Sequence, residues 1–423
     1  MEYRATEAPP TGRNHNQPFR RGTFIQHCLA TALLLGMFAG CGAATAGEIP
    51  GSGGTDLQQA WPEDRGIDSN KLVSLSEWLR TQNLDVHSLL VVKDDKLVFE
   101  RYSQGLTRDH NYELYSITKG VTALLAGLLI DEGKISLDDK VSSILEKWRP
   151  DLAQDFADKQ DIKVRHILTM SSGLQYNFKP KNDPIYYEES DRLKLAARTH
   201  PKIAPGQEFE YTDINPILAA AVLSAAAGMP IEKYAEEKLF KPLAMKNYAW
   251  DRADGKGLVS AGWGLRLRPV DMAKVGLLVM HDGRWQGQQI VPAAWIRQMV
   301  SPGVVPYFGN YWWINDIVEG EPEYDAMGFK GQFIVVLPKR DAVVVMTSLL
   351  PIEGGLRDAE NVKIMRRIMK DYVIPALDGG TGGGTGAPVS ASIRNTLDNE
   401  LKLSAASMPT PGTEADPTDT PRR

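Results

Sequence analysis

Cysteine is nearly absent from this chain of 423 residues. The two cysteines, Cys28 and Cys41, both lie near the amino end. No disulfide framework and no thiolate metal site is therefore available to the rest of the chain. The seven histidines are scattered, and no two of them have the spacing of metal ligands on one helix. We therefore expect no metal site.

An excess of positive charge is also lacking, since 48 lysines and arginines face 53 acidic residues and the net charge is −5. This balance excludes a basic footprint, so we expect no nucleic-acid partner. No Gly-x-Ser-x-Gly segment occurs, which argues against an α/β-hydrolase. The apolar content of 43% is ordinary for a globular chain that is long enough for one large domain or two smaller ones.

One apolar run near the amino end resembles a targeting signal. There Arg20 and Arg21 precede the apolar run 28–40, which is too short to span a bilayer but suits the core of a signal peptide. The sequence thus predicts a signal peptide and amino-terminal extension in residues 1–47. The segment 38–41 (Phe-Ala-Gly-Cys) resembles a lipoprotein box, which favours a lipid on Cys41. Ordinary signal peptidase cleavage after the segment 44–46 (Ala-Thr-Ala) stays open.

Composition divides the remainder of the chain. Residues 48–56 are a Gly/Ser linker, and 57–377 have the mixed pattern of a folded domain. Residues 378–423 are rich first in glycine and then in proline and threonine. Such a segment cannot form a core, so it is predicted to be disordered, with at most a transient helix over 390–403.

Residue alternation and turn signals predict two β-hairpins, one near each end of the folded part. The predicted strands are 87–92, 96–102, 332–337 and 342–347, and the predicted helices are 70–82, 356–372 and most of 116–282. Strands at both ends with helices between them predict an α+β fold. It has an antiparallel sheet flanked by helices, an inserted helical domain and a cleft where the two meet.

Ser116 and Lys119 begin the apolar helical run 116–131. Residues three apart lie one turn apart on the same face of a helix, so an amine is within reach of a hydroxyl that is otherwise a weak nucleophile. The helix amino end favours developing negative charge, and its field, together with burial, is expected to lower the pKa of Lys119. The alternative is that Ser116 only caps the helix and Lys119 is solvated.

Five segments resemble the serine β-lactamase and penicillin-binding-protein superfamily, in order and at plausible spacing. They are 115–122 (Tyr-Ser-Ile-Thr-Lys-Gly-Val-Thr), 131–139, 164–174, 205–215 and 267–276. They are most similar to the branch with class C β-lactamases, family VIII-type esterases and 6-aminohexanoate-dimer hydrolases. The resemblance extends from about residue 66 to 376 and implies a β-lactamase/transpeptidase-like fold.

The resemblance implies catalytic roles for three residues. Ser116 would be the nucleophile that accepts the acyl group, and Lys119 its partner. Tyr211 matches the tyrosine of the Tyr-x-Asn motif, which takes the serine proton. A phenol with a pKa near 10 is a poor base in water, but an adjacent ammonium stabilises its anion.

Two positions depart from the motifs of the family. Asp213 replaces the asparagine of Tyr-x-Asn, and Asn215 follows two places on. Both are predicted to bind or orient the substrate. Asp213 could pair with Lys119 and keep it protonated, or it could cap the helix that begins before Pro216, and the sequence leaves both open.

The third motif falls in the segment 328–334, where Phe329 replaces the usual cation. This replacement argues against an antibiotic substrate. Lys330 lies one position after the place of that cation, and in a strand its side chain would point to the face opposite that of Phe329. Gly331 allows close approach, and the N–H of Gln332, with that of Ser116, is predicted to form the oxyanion hole.

The sequence therefore predicts an exported serine hydrolase that cleaves a small-molecule ester or small amide. Ser116 forms an acyl-enzyme that water resolves without a cofactor. The expected location is the bacterial cell envelope or periplasm, with possible membrane attachment through a lipid on Cys41. Two alternatives stay open: a D-amino-acid peptidase of the penicillin-binding type, and a catalytically silent envelope binding protein.

Overall fold

The computed structural model describes residues 56–179, 183–353, 359–379, 391–407 and 422. The predicted signal peptide 1–47, the lipidation site Cys41 and the linker up to residue 55 lie outside the described residues. Within them, no single helix is both long and apolar enough to cross a membrane. One bent pair, 214–227 with 231–240, passes the same test by length and composition.

A six-stranded antiparallel sheet forms the centre of the fold. The strands are β1 (Val86–Lys93), β2 (Lys96–Tyr102), β3 (Tyr112–Glu113), β4 (Ala249–Trp250), β5 (Leu265–Leu267), β6 (Arg284–Trp285), β7 (Gln288–Gln289), β8 (Trp313–Asn315), β9 (Glu323–Gly328), β10 (Gln332–Leu337) and β11 (Ala342–Ser348). The order in the large sheet is β2-β1-β11-β10-β9-β8, while β3-β5-β4 and β6-β7 form two small sheets. Both predicted hairpins are present, β1–β2 and β10–β11.

Helices cover both faces of the large sheet. They are α1 (Ser69–Thr81), α2 (Ile117–Asp131), α3 (Val141–Trp148), α4 (Val164–Leu168), α5 (Arg192–Ala197), α6 (Ile214–Ala227), α7 (Ile231–Ala235), α8 (Pro269–Met280), α9 (Ala293–Met299), α10 (Glu360–Arg367), α11 (Ile374–Leu377) and α12 (Ala391–Ala406). Helices α2 and α8 pack on one face within the larger hydrophobic cluster. Helices α1, α10 and α11 cover the other face. The predicted α+β fold, with helices α2 to α8 inserted between strands of one sheet, is confirmed.

The predicted disorder of 378–423 is wrong for residues 391–407, which contain α12. This helix packs on α1, where Leu397 is buried and Glu400 forms an ion pair with Arg80 at 2.9 Å. Ser76 on α1 also donates a hydrogen bond to Glu400. The glycine and proline content on either side concealed an amphipathic segment that docks through contacts distant in sequence.

The segment 267–276, one of those that carry the family resemblance, forms a buried ion network. Asp271 accepts hydrogen bonds from Arg268 at 2.7 Å and forms an ion pair with Lys274 at 2.9 Å. Arg268 also reaches Asp56 at 3.0 Å, so the last linker residue is fixed to the start of α8. Each buried charge in this network faces a partner of opposite sign, which is the condition for burying charge. The segment is structural and contributes no residue to the cavity described below.

Candidate active site

Ser116 occupies the N-cap position of α2, immediately after a short strand. Strand β3 pairs with β5, and Leu114 N–H donates to Leu265 O at 2.9 Å. Tyr115 then takes a positive φ of 47°, which is uncommon for a non-glycine residue and is found at strained functional sites. This backbone turn leads from the strand directly into α2 and leaves the Ser116 side chain half-buried at the helix amino end.

Lys119 brings three parts of the chain together at Ser116. Its Nζ lies 2.9 Å from Ser116 Oγ, 3.1 Å from Gly262 O and 2.8 Å from Asp213 Oδ1. The residue is only 1% exposed. Burial lowers the pKa of Lys119, but the Asp213 carboxylate and Tyr211 outweigh it, and the pKa is raised. The expected lowering is therefore wrong, because the half-buried Asp213 carboxylate faces the amine.

Tyr211 lies on the other side of the lysine. The ring centroid of Tyr211 is 5.0 Å from Lys119 Nζ, and Tyr211 contributes to the raised pKa of Lys119. Trp313 stacks on the Tyr211 ring with centroids 5.6 Å apart, and Phe308 packs edge-on at 6.1 Å. These aromatic contacts hold the phenol beside the ammonium.

Asp213 pairs with Lys119, and its side chain makes no capping hydrogen bond to α6, although the residue occupies the N-cap position. Tyr186 donates a hydrogen bond to the second Asp213 oxygen at 2.6 Å. Burial and the Asp213 charge raise the pKa of Tyr186, so it remains a donor. Sequence reasoning left Tyr186 out of the site, although its aromatic surroundings in the segment 175–200 gave a weak signal.

Asn215 lies away from the Ser116 cavity. It is 1% exposed, and its Nδ2 donates to Thr212 Oγ1 at 3.1 Å and contacts Met170 Sδ at 3.5 Å. A residue in this position supports the segment between Tyr211 and α6 from the core side. The geometry therefore gives Asn215 no contact with substrate.

Gln332 is not among the described residues that line the cavity with Ser116. The Gln332 side chain is 2% exposed and bonds to the backbone of Ser348, with Nε2 2.6 Å from the Ser348 carbonyl oxygen. Residues 329–331 form a turn between β9 and β10, in which Lys330 and Gly331 have φ values of 59° and 93°. The expectation that Lys330 lies in a strand is wrong, and neither Gly331 nor Gln332 lines the cavity at Ser116.

Gly328 takes the place beside the nucleophile instead. A Cβ at Gly328 would lie 2.4 Å from Leu114 O, so only glycine lets β9 approach the chain this close to Ser116. The next residue, Phe329, lines the cavity with Ser116. Among the described residues, neither the N–H of Ser116 nor the N–H of Phe329 donates to another backbone group. We therefore assign the second oxyanion donor to Phe329 N–H in place of Gln332 N–H.

A cavity of about 270 Å³ opens at Ser116. Its described lining consists of Ser116, Tyr211, Trp313, Met327, Gly328, Phe329, Phe333, Ile352, Ala359, Asn361 and Val362. None of these residues carries a charge. A larger groove of about 790 Å³ near Trp148 contains none of the residues around Lys119. Within the part of the chain that the structure describes, no cluster of three or more histidines, cysteines or acidic residues is placed to hold a metal ion.

This arrangement can carry out acyl transfer. Ser116 Oγ faces the cavity at a helix amino end, where N–H groups stabilise an oxyanion. Once the coupled Lys119 and Tyr211 pair has lost one proton, it can accept the serine proton and return it to a leaving group. Asp213 opposes that loss, because its negative charge stabilises the fully protonated pair.

Comparison with known proteins agrees with this geometry. The family model described as Beta-lactamase matches residues 80–364. A relative from Escherichia coli (strain K12), named "Putative D-alanyl-D-alanine carboxypeptidase", is 24% identical over 241 residues, which are 51% of this chain and 54% of the relative. The chain thus spans about half the length of the curated relatives that it matches.

Two solved structures share the fold. EstCE1, described as a hydrolase with promiscuous acyltransferase activity, has a TM-score of 0.59 at 18% identity. The matched region covers 72% of this chain and 99% of the EstCE1 chain. A penicillin binding protein from Bacillus halodurans has a TM-score of 0.56 at 19% identity, and the matched region covers 70% of this chain and 99% of that protein's chain. The family model spans well over half of the sequence, and the chain belongs to the beta-lactamase family of serine hydrolases.

Proposed function

We propose that this protein hydrolyses a small ester, or a small amide, through an acyl-enzyme on Ser116. The observation that carries the proposal is the contact of Lys119 Nζ with both Ser116 Oγ and Asp213, beside Tyr211 and at the floor of an open cavity. A serine that only capped α2 would need none of these buried polar partners.

The steps follow from the positions of the atoms. Ser116 Oγ bonds to the carbonyl carbon while its proton passes to the Lys119 and Tyr211 pair, and the N–H groups of Ser116 and Phe329 bind the oxyanion. The pair then gives the proton to the departing alcohol or amine as the bond to the carbonyl breaks. In the second half, water gives a proton to the same pair as it attacks the acyl carbon. The pair then returns that proton to Ser116 Oγ as the bond between Oγ and the acyl carbon breaks, which releases the acid and restores both the Ser116 hydroxyl and the pair.

A second candidate function is removal of a D-amino acid from a cell-wall peptide. The names of the curated relatives favour it, at 24 to 26% identity over about half of each chain. Such a substrate ends in a carboxylate, and no described residue that lines the cavity is a cation that could pair with it. We therefore place ester hydrolysis first.

The test is a substrate panel with the purified protein. We expect release of p-nitrophenol from p-nitrophenyl acetate and butyrate, and loss of that release to the background rate in Ser116→Ala and Tyr211→Phe. Ester hydrolysis that survives Ser116→Ala would contradict the proposal. Faster release of D-alanine from a D-alanyl-D-alanine peptide than of p-nitrophenol would establish the second candidate.

We also propose that the chain is exported and attached to the membrane by a lipid on Cys41. The support is the sequence of residues 1–47 alone. Fractionation of cells that express the full chain tests this. We expect the protein in the membrane fraction and Cys41→Ser in the soluble envelope fraction, and equal distribution of both proteins would contradict lipidation.

A further inference from the structure

We infer that the site selects substrates with an uncharged, apolar chain on the scissile bond, and that Ile352 and Asn361 determine this selectivity. The inference rests on the proposed function, because it names the substrate class of the same cavity. Its support comes from the walls and the mouth of that cavity.

The walls are apolar on the side formed by the sheet and α10. Met327 lies on β9 and Phe333 on β10, while Ala359 directly precedes α10 and Val362 lies within it. Pockets of this kind bind a ligand by removing its apolar surface from water. None of the described lining residues is charged, so a charged group in the same place would lose its hydration without gaining a partner of opposite charge from them.

The mouth exposes large apolar side chains. Phe329 is 47% exposed and Ile352 is 41% exposed, and both line the cavity. Phe329 is held in place by an edge-on contact with Tyr115, with ring centroids 5.5 Å apart. An exposed apolar patch at the opening of a site typically marks the surface that a ligand covers. A chain that leaves the cavity would bury both residues.

Among the described residues, the cation Lys330 lies close to Phe329 at this mouth. Lys330 Nζ is 5.8 Å from the Phe329 ring centroid, although Lys330 does not line the cavity. A lysine this close to an aromatic ring is attracted to it by a cation–π interaction. A substrate with a carboxylate on its chain tests whether this ammonium takes part in binding.

Asn361 is a polar residue among the described apolar residues of this wall. It is 6% exposed, and its side-chain oxygen has no hydrogen-bond partner among the described residues. A buried acceptor without a partner is costly, and a ligand that carries a donor removes that cost. We therefore expect a chain with an N–H or O–H donor to bind better than one with a carboxylate of the same length.

The experiment compares p-nitrophenyl esters of straight-chain acids from two to eight carbons, together with ω-carboxylate and ω-carboxamide forms of the hexanoate. For the wild type, kcat/KM is expected to rise about fourfold per methylene up to about six carbons, which corresponds to ~0.8 kcal/mol for each buried CH₂. The ω-carboxylate should react at least tenfold more slowly than the ω-carboxamide. A second series varies the alcohol chain, and a rise in either series supports the inference.

Variants separate the two selectivity residues. Ile352→Ser should reduce the ratio of hexanoate to acetate activity about tenfold, and Asn361→Leu should reduce the preference for the ω-carboxamide over the ω-carboxylate. Leu403→Ser is the matched control, since Leu403 is 53% exposed on α12, and it should change neither ratio.

The outcomes distinguish this inference from the proposed function. If the wild type hydrolyses acetate in a Ser116-dependent way but both chain-length series are flat, or the ω-carboxylate is preferred, the inference is overturned and the proposed function stands. If no ester is hydrolysed and Ser116 takes no acyl group, the proposed function fails first and the inference fails with it.

Discussion

Replacing Asp213 by asparagine removes the negative charge that faces Lys119 and leaves the shape of the side chain unchanged. The asparagine oxygen can still accept the hydrogen bond that Tyr186 donates at 2.6 Å. Because the asparagine NH2 then takes the place of Oδ1 in front of Lys119, the change removes both the negative charge and the acceptor that the amine faces, and both losses favour the neutral amine. Because an anion stabilises the protonated pair, its removal should make the pair lose a proton at lower pH.

The size of the shift follows from the distance. Opposite charges 2.8 Å apart, as between Lys119 Nζ and Asp213 Oδ1, attract by roughly 6 kcal/mol at an effective dielectric constant of 20. The Asp213 side chain is 24% exposed, so water screens part of this energy, and we take about half of it. About 3 kcal/mol corresponds to roughly two pH units.

The assay is the pH dependence of kcat/KM for p-nitrophenyl butyrate. The acidic limb of the profile should lie about two pH units lower in Asp213→Asn than in the wild type, so the variant gains activity below the wild-type limb. Tyr186→Phe is the control, because it removes the hydrogen bond and keeps the charge, and its limb should move by much less. An acidic limb that stays in place, or moves to higher pH in Asp213→Asn, would refute the reasoning.

Three further changes test other parts of the structure. Asp271→Ala leaves Arg268 and Lys274 buried without their shared anion and should lower the free energy of unfolding by about 3–5 kcal/mol in urea titrations, an effect that a near-normal urea midpoint would contradict. Burial beside Asp325 raises the pKa of Glu323 from its ordinary value near 4.5 to about 10, so Glu323 stays protonated in the folded protein. The free energy of unfolding should therefore fall as the pH rises from about 4.5 towards 10, because the unfolded chain loses this proton first. Glu323→Gln should remove up to about 1.4 kcal/mol per pH unit of that loss, and parallel stability–pH curves for variant and wild type would disprove this. Gly328→Ala should lower kcat by about 100-fold at an unchanged fold, because the added Cβ displaces the turn that carries the oxyanion donor, and a kcat within twofold of wild type would contradict the assignment.

Local sequence patterns were sufficient for the elements that depend on local contacts. The turn of the β1–β2 hairpin is predicted by Asp94 and Asp95, and both adopt the positive φ values, 48° and 59°, that a tight hairpin requires. The contact between Ser116 and Lys119 follows from helical geometry alone, since residues three apart share a face.

Other features depend on contacts between distant parts of the chain. The carbonyl of Gly262 reaches Lys119 across 143 positions, and Glu400 reaches Arg80 across 320. No periodicity in either segment predicts such a partner. The reversal of the expected pKa shift of Lys119 has the same origin, because Asp213 is separated from it by most of the helical region.

The position of the third motif shows a different limit. Sequence reasoning could recognise a glycine-rich segment at 328–334, but it could not decide which residue of that segment lies beside Ser116. That choice depends on where β9 ends and the turn begins. The close approach of Gly328 to Leu114 decides it, and no one-dimensional pattern records this approach.

The central claim is that Ser116 is an activated nucleophile, and labelling with a fluorophosphonate probe tests it most directly. The purified protein and Ser116→Ala are treated side by side, and the adduct is located by mass spectrometry of the digested protein. The account predicts one adduct per chain, located on Ser116 and absent from the variant. An adduct on another serine, or none at all in a protein shown to be folded by circular dichroism, would contradict it.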